Sequence, residues 1–355
     1  MKTGNLRILT GTAGLIKNMN SGGDRFIKLD NVKAVLVFCV VLGHIIGYNT
    51  EDEAPFYQAL FLFIYSFHMP LFIFISGYFH KNKDIKNKII YYLILGGMLR
   101  IVVFAVNNLV LKNPGSLSFL TTDGCAWFLF AAAAYTALEY LLRNYSPLLV
   151  FVLALILACF AGYDTDIDDF LVLSRIIVFF PFYHAGCCAK KDNVFRNFLK
   201  PEKRLLKCSR AFLSAAALCA WAAICVFCLD SVYELRPFFT GRHPFGGLYS
   251  DSFSGFLTRF LCYAISFMAG TALLYLVPDK KIPFLTKIGE RSLSVYFWHR
   301  PVIYILDSLG VTDLCFGSEL SLLWCTAAAL IITAVFGFHV FYRPFEWLKR
   351  QIFKL

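Results

Sequence analysis

Inside long apolar runs of this chain sit His44, His68, Arg100 and the adjacent His299 and Arg300. A charge at the centre of a bilayer costs at least about 2.5–3.5 kcal/mol even on insertion scales, so an ionisable group in such a run is read first as part of a site. Counted along their runs, His44, His68 and Arg100 each fall about 12 residues, or about 18 Å, from the lysine-rich end, and His299 and Arg300 about 12–14 Å. That common depth predicts one polar chamber built from four spans, although His68 or His299 alone also reads as a hydrogen-bonded packing residue. The first run has a second regularity. Lys33 and His44 are eleven residues apart, which returns to within about 20° of the same helix face and climbs about 16.5 Å. Asp30 falls near that face too. A cation at the mouth suits phosphates, and an imidazole deep along the face suits general-base work near neutral pH. Lys33 by itself equally fits a snorkelling anchor.

The elements that must carry these groups follow from composition. The 355 residues are 58% hydrophobic and 17% aromatic but only 16% charged, against about 25% charged in a soluble domain. A water-soluble globule is excluded, and so is a β-barrel, whose strands would alternate apolar and polar residues. The reading is an all-α, polytopic transmembrane helical bundle of about ten spans, roughly 32–50, 57–79, 88–111, 126–142, 147–162, 171–189, 211–229, 259–277, 291–309 and 320–341. Of 34 basic residues, 27 fall at one set of ends, while the other set reads acidic at Glu51, Asp52 and Glu53 and at Asp164, Asp166, Asp168 and Asp169. The positive-inside rule then makes both termini cytoplasmic, and the net charge of +11 faces lipid headgroups, with no nucleic acid to invoke. Residues 1–25 read as a mobile cytoplasmic tail, 26–345 as the membrane domain and 346–355 as a short basic tail. No cleavable leader precedes the first span, since Arg7, Gly11 and Gly14 break the only early apolar stretch.

Twelve cysteines are present, most of them inside apolar runs where a thiol packs as a small hydrophobe. Cys225 and Cys228 form one CxxC pair with no second pair or His at ligand spacing, so no metal is expected. Cys125 and Cys315 both fall at outer ends, where a disulfide is conceivable. Phosphate loops, nucleophile elbows and zincin motifs are absent.

Two motifs carry a resemblance. Asp30-Asn31-Val32-Lys33 runs on to Leu42-Gly43-His44, and Phe67-His68-Met69-Pro70 continues to Ser76-Gly77-Tyr78-Phe79. Together with Ala126-Trp127-Phe128-Leu129, Pro181-Phe182-Tyr183-His184-Ala185-Gly186 and Ser292-Leu293-Ser294-Val295-Tyr296-Phe297-Trp298-His299, they resemble the acyltransferase-3 family of integral membrane acyltransferases, with fucose 4-O-acetylase-like members the nearest look-alikes. The resemblance implies an O-acetyltransferase that takes acetyl from cytoplasmic acetyl-CoA and gives it to a hydroxyl of a cell-envelope glycan or sugar, in the bacterial plasma membrane among its lipids. It implies Lys33 as the basic residue eleven positions before His44, with Lys83, Lys86 and Lys88 in place of the family's arginines at the entrance of span 3, all four on the phosphates of the donor. His44 is the expected base, oriented by His68 or Tyr296. Arg100 or His299 would stabilise the thioester oxyanion, and Trp127 and Tyr296 would touch substrate. The rival class is a secondary transporter or lipid/glycan flippase, which also carries intramembrane charges, but only span 2 has a clear central proline, Pro70, and the other half has no counterpart. A catalytically dead partner subunit is the third alternative.

Overall fold

The computed structural model describes residues 27–47, 55–112, 117, 124–191, 204–242, 244–245, 253–311 and 320–354. The tail 1–25, the acidic stretch at Glu51–Glu53 and Cys315 with its conceivable disulfide lie outside them. Among the described residues every long element is an α-helix. In chain order these are α1 (Ile27–Ile46), α2 (Pro55–Tyr65), α3 (His68–Tyr78), α4 (Ile85–Leu109), α5 (Trp127–Leu142), α6 (Pro147–Phe160), α7 (Leu173–Lys191), α8 (Arg204–Phe227), the short α9 (Leu229–Val232) and α10 (Arg236–Thr240), then α11 (Ser254–Leu276), α12 (Pro283–Glu290), α13 (Ser292–Ser308), α14 (Ser321–Phe336) and α15 (His339–Phe353).

Five of the described helical segments are long and apolar enough to cross a hydrocarbon layer: α1, α2 with α3, α4, α8 and α11. The last expected span, 320–341, is not one straight helix. It stops at Phe336, and the chain turns by 50° into α15. Phe338 is extended there (φ −69°, ψ 149°), and Arg291 Nη1 donates to the Gly337 carbonyl at 3.1 Å, satisfying an acceptor that the broken helix leaves open. The helix α15 runs through 345 and 346, where the membrane domain was expected to give way to a tail.

The first span also differs. It begins at Ile27 rather than near 32, because Lys28, Asp30 and Asn31 are buried instead of lying in a loop. Asn31 is wholly buried and donates to the carbonyls of Pro278 and Lys280 at 2.9 and 3.0 Å, while Thr286 Oγ1 donates to Asn31 Oδ1 at 2.7 Å. These bonds pin the α11–α12 connection against α1. Burying an amide is tolerable only when it is bonded in this way.

The centre of the molecule is the seam of α3 against α7. A Cβ on Gly77 would lie 2.0 Å from the Tyr183 carbonyl, and one on Gly186 would lie 2.0 Å from that of Phe74. The two helices therefore touch backbone to backbone, the approach that small residues permit between membrane helices. Below the seam, at the lysine-rich end, the buried His184 and Glu139 meet at 2.7 Å through Nδ1 and Oε2, and His184 Nε2 lies 3.0 Å from the Pro147 carbonyl. This pair ties α5, α6 and α7 together.

Candidate active site

The proline of span 2 creates the first feature of the site. A proline four residues after a carbonyl removes the N–H that carbonyl would accept and crowds it. Pro70 does this to Ser66, and the chain breaks at Ser66 and Phe67 between α2 and α3. The freed Ser66 carbonyl accepts from Ser266 Oγ at 2.5 Å, and Ser66 Oγ accepts from Trp221 Nε1 at 2.9 Å. The break also brings the side chain of His68 back onto the chain, with its Nδ1 2.8 Å from the Ile64 carbonyl. A carbonyl only accepts, so Nδ1 carries the proton and Nε2 keeps its lone pair.

His68 lines a cavity of about 790 Å³ together with His44, Arg100, Trp127 and Tyr296. His299 closes the same wall from behind: its ring lies 5.1 Å from that of His44. The chamber expected from common depth therefore exists, although its position along α1 is different. Because α1 starts early, His44 lies in its last turn, about 25 Å from the first residue of the helix rather than the 18 Å expected.

The partner of His44 is also not the expected one. Tyr296 donates its hydroxyl to the Cys125 carbonyl, and the Nδ1 of His68 is engaged by Ile64, so neither is placed to orient His44. Arg300 is: its Nη1 lies 3.4 Å from His44 Nδ1. A guanidinium has no lone pair to offer, so Nδ1 is the acceptor and the ring proton of neutral His44 sits on Nε2. His299 has the opposite tautomer, with Nδ1 donating to the Tyr296 carbonyl at 2.6 Å and Nε2 buried without a partner. His44 and His68 thus share the cavity wall, with the buried His299 behind His44.

The lysines are elsewhere. Lys33 pairs with Asp30 at 2.8 Å and lies 5.2 Å over the Phe79 ring, and neither it nor Lys83, Lys86 or Lys88 lines the cavity, which reaches down α1 only to Val40. Lys83 and Lys86 are exposed, while Lys88 donates to the Lys81 carbonyl. Lys190 joins this end through the His80 carbonyl at 2.6 Å. The His80 imidazole is sandwiched between the Tyr183 hydroxyl and Asn82 Oδ1 at 2.9 and 2.8 Å, and burial pushes its pKa down. So the basic mouth and the histidine chamber sit at opposite ends of α1, as their spacing implied.

Sequence reading missed Tyr65, whose ring meets that of His68 edge-on at 4.6 Å, and Arg175, which lies over Trp127 at 4.9 Å. An arginine beginning an apolar run was a usable signal for Arg175; nothing local marked Tyr65. Arg236 and Arg242 line the cavity as well. They are held there by tertiary bonds. Ser174 Oγ donates to the Gly241 carbonyl at 2.7 Å, the fully buried Arg259 donates to the Phe238 carbonyl at 2.6 Å, and the Phe245 amide donates to the Gly162 carbonyl at 2.6 Å. Among the described residues no cluster of His, Cys, Asp or Glu could hold a metal ion.

The described residues form an all-helical bundle with several membrane-length apolar helices around a cavity lined by His44 and His68. The chain belongs to the acyltransferase family whose domain model, described as an acyltransferase domain, matches residues 26–343. It is also similar to two proteins described as nodulation protein NolL. For that of Mesorhizobium japonicum the identity is 24% over 185 residues, 46% of this chain and 47% of the relative; for that of Sinorhizobium fredii it is 44% over 61 residues, 16% of each. The chain spans at most about half the length of these relatives in the matched regions. No solved structure matches it. Family membership supports the acyltransferase reading over the transporter one.

Proposed function

We propose that the protein is an O-acetyltransferase of the bacterial plasma membrane, with about ten spans and both termini cytoplasmic, that moves acetyl from cytoplasmic acetyl-CoA to a hydroxyl of a cell-envelope glycan or sugar. The observation that carries this reading is the pair His44 and His68 on the wall of one cavity, with the buried His299 ring 5.1 Å behind that of His44, in a chain of an acyltransferase family. The charge asymmetry of the sequence supports the orientation. The lysine-rich end then faces the cytoplasm, where Lys33 and Lys88 meet the phosphates of the donor, with Lys83 and Lys86 beside them. The pantetheine arm follows α1 toward His44, a climb of about 16.5 Å.

At the chamber the acceptor hydroxyl enters between Arg300 and His44, where the present 3.4 Å contact is long for a hydrogen bond. His44 Nδ1 takes the hydroxyl proton as the oxygen attacks the thioester carbonyl. The C–O bond forms, the C–S bond breaks, and the proton passes from His44 to the departing thiolate. Arg300, released from the imidazole, faces the carbonyl oxygen as negative charge develops, with Arg100 on the same cavity wall as a second donor. Trp127 and Tyr296 supply ring faces to the substrate. His68 and His299, their tautomers set by main-chain carbonyls, hold lone pairs that accept hydroxyls of the acceptor.

The test uses the full chain purified in detergent with labelled acetyl-CoA. Label transfer to an envelope glycan fraction, or thioester hydrolysis in its absence, is the expected result. A protein that binds acetyl-CoA and does neither overturns the proposal.

A further inference from the structure

The cavity is more basic than acyl transfer alone requires. Arg100, Arg175, Arg236, Arg242 and Arg300 line it, and among the described residues no Asp or Glu does. One well-placed cation is enough for one oxyanion. Arg175, Arg236 and Arg300, from α7, α10 and α13, bring three guanidinium groups to this one cavity.

Arg175 is the best defined. It is only 7% exposed, its Nη2 is 3.5 Å from Asp169 Oδ1, and its guanidinium lies over the Trp127 ring. Its Nη1 is buried with no hydrogen-bond partner. Buried donors on a charged group are rarely left unmade, and an orphan of this kind asks for an acceptor from outside the chain. Asp169 does not answer it: its Oδ1 faces Nη2 of Arg175, and its Oδ2 accepts from Arg242 Nε at 2.6 Å. Arg236 lies over Phe61 at 5.0 Å. The planar guanidinium fork matches a carboxylate or phosphate, and the Trp127 ring beside it offers a flat face to a sugar. Arg175 is in the first turn of α7, whose other end carries Lys190 and Lys191. The arginines therefore sit at the end of the bundle away from Lys33, where the donor's own phosphates are not proposed to reach.

We propose that the acceptor is an acidic sugar, whose carboxylate or phosphate is held by Arg175 and Arg236 while one of its hydroxyls faces His44. This rests on the acyltransferase reading and names its acceptor class.

The test measures binding of a methyl glucuronide, a hexose phosphate, a neutral methyl glucoside and acetyl-CoA to the full chain in lipid nanodiscs. At least one acidic probe should bind at least tenfold more tightly than the glucoside, and which one does so distinguishes carboxylate from phosphate. Arg175→Gln and, separately, Arg236→Gln should each weaken the acidic probe by about tenfold, while the Kd for acetyl-CoA stays within about twofold, which also shows that each variant is folded. The proposal is overturned if the acidic probes bind no better than the glucoside, or if the variants weaken acetyl-CoA instead, which would put the donor's phosphates in the arginine chamber. Failure of the wild-type chain to bind acetyl-CoA would strike the acyltransferase reading and leave the comparison of acidic with neutral sugar to decide this one.

Discussion

Replacing His44 by Gln tests the chemistry most directly. Glutamine keeps a hydrogen-bonding side chain of similar reach, so Arg300, now 3.4 Å from Nδ1, retains an acceptor, yet the position no longer takes up a proton. Proton transfer by a positioned side chain typically contributes 10²–10⁴-fold, which is about 2.7–5.4 kcal/mol of barrier at 1.36 kcal/mol per decade. The cost to stability should be small by comparison. His44 is half-buried on the wall of an existing cavity, so the change neither opens a closed void nor strands a buried charge. Acetyl transfer by His44→Gln in detergent, at saturating acetyl-CoA, is therefore expected to fall by two to four decades, with extraction yield and acetyl-CoA affinity nearly unchanged. A variant that keeps more than about a tenth of wild-type kcat would refute the reasoning, because general-base catalysis would then be too small a term to fit its usual range. The base would have to be sought at the Nε2 lone pair of His68 or His299.

Lys33→Ala should raise the apparent KM for acetyl-CoA by about tenfold or more, the scale of a charge-assisted contact, and far less for a truncated thioester without phosphates; equal effects on both donors would leave Lys33 as the partner of Asp30 only. Gly186→Ala forces a methyl to within 2.0 Å of the Phe74 carbonyl, so α3 and α7 must part, and thermal unfolding in detergent should show a loss of about 1–3 kcal/mol or more; an unchanged Tm would mean that this close approach does not hold the bundle together. A reporter fused after Leu355 should be active only in a cytoplasmic form and one inserted near Asp166 only in an external form, and the reverse at either site would invert the bundle.

Much of this protein is legible along the chain because the relevant physics is local. Whether a stretch of about 20 residues can leave water depends on its own side chains, which is why most expected helices lie within a few residues of the observed ones. The register of Lys33 with His44 is a property of one continuous helix. Pro70 announces a break, since its missing N–H acts on the residue four before it. What sequence could not carry is which distant group answers each local event. The Ser66 carbonyl is met by Ser266, two hundred residues on. His44 is met by Arg300, not by His68 or Tyr296, and α10 brings Arg236 and Arg242 to the cavity that Arg175 reaches from α7. The early start of α1 and the 50° turn after Phe336 are of the same kind. In each case two conformations are acceptable to the segment alone, and the choice falls to a partner carbonyl or side chain whose position is set by packing of the whole bundle, where an unpaired buried polar group costs more than local helix preference returns.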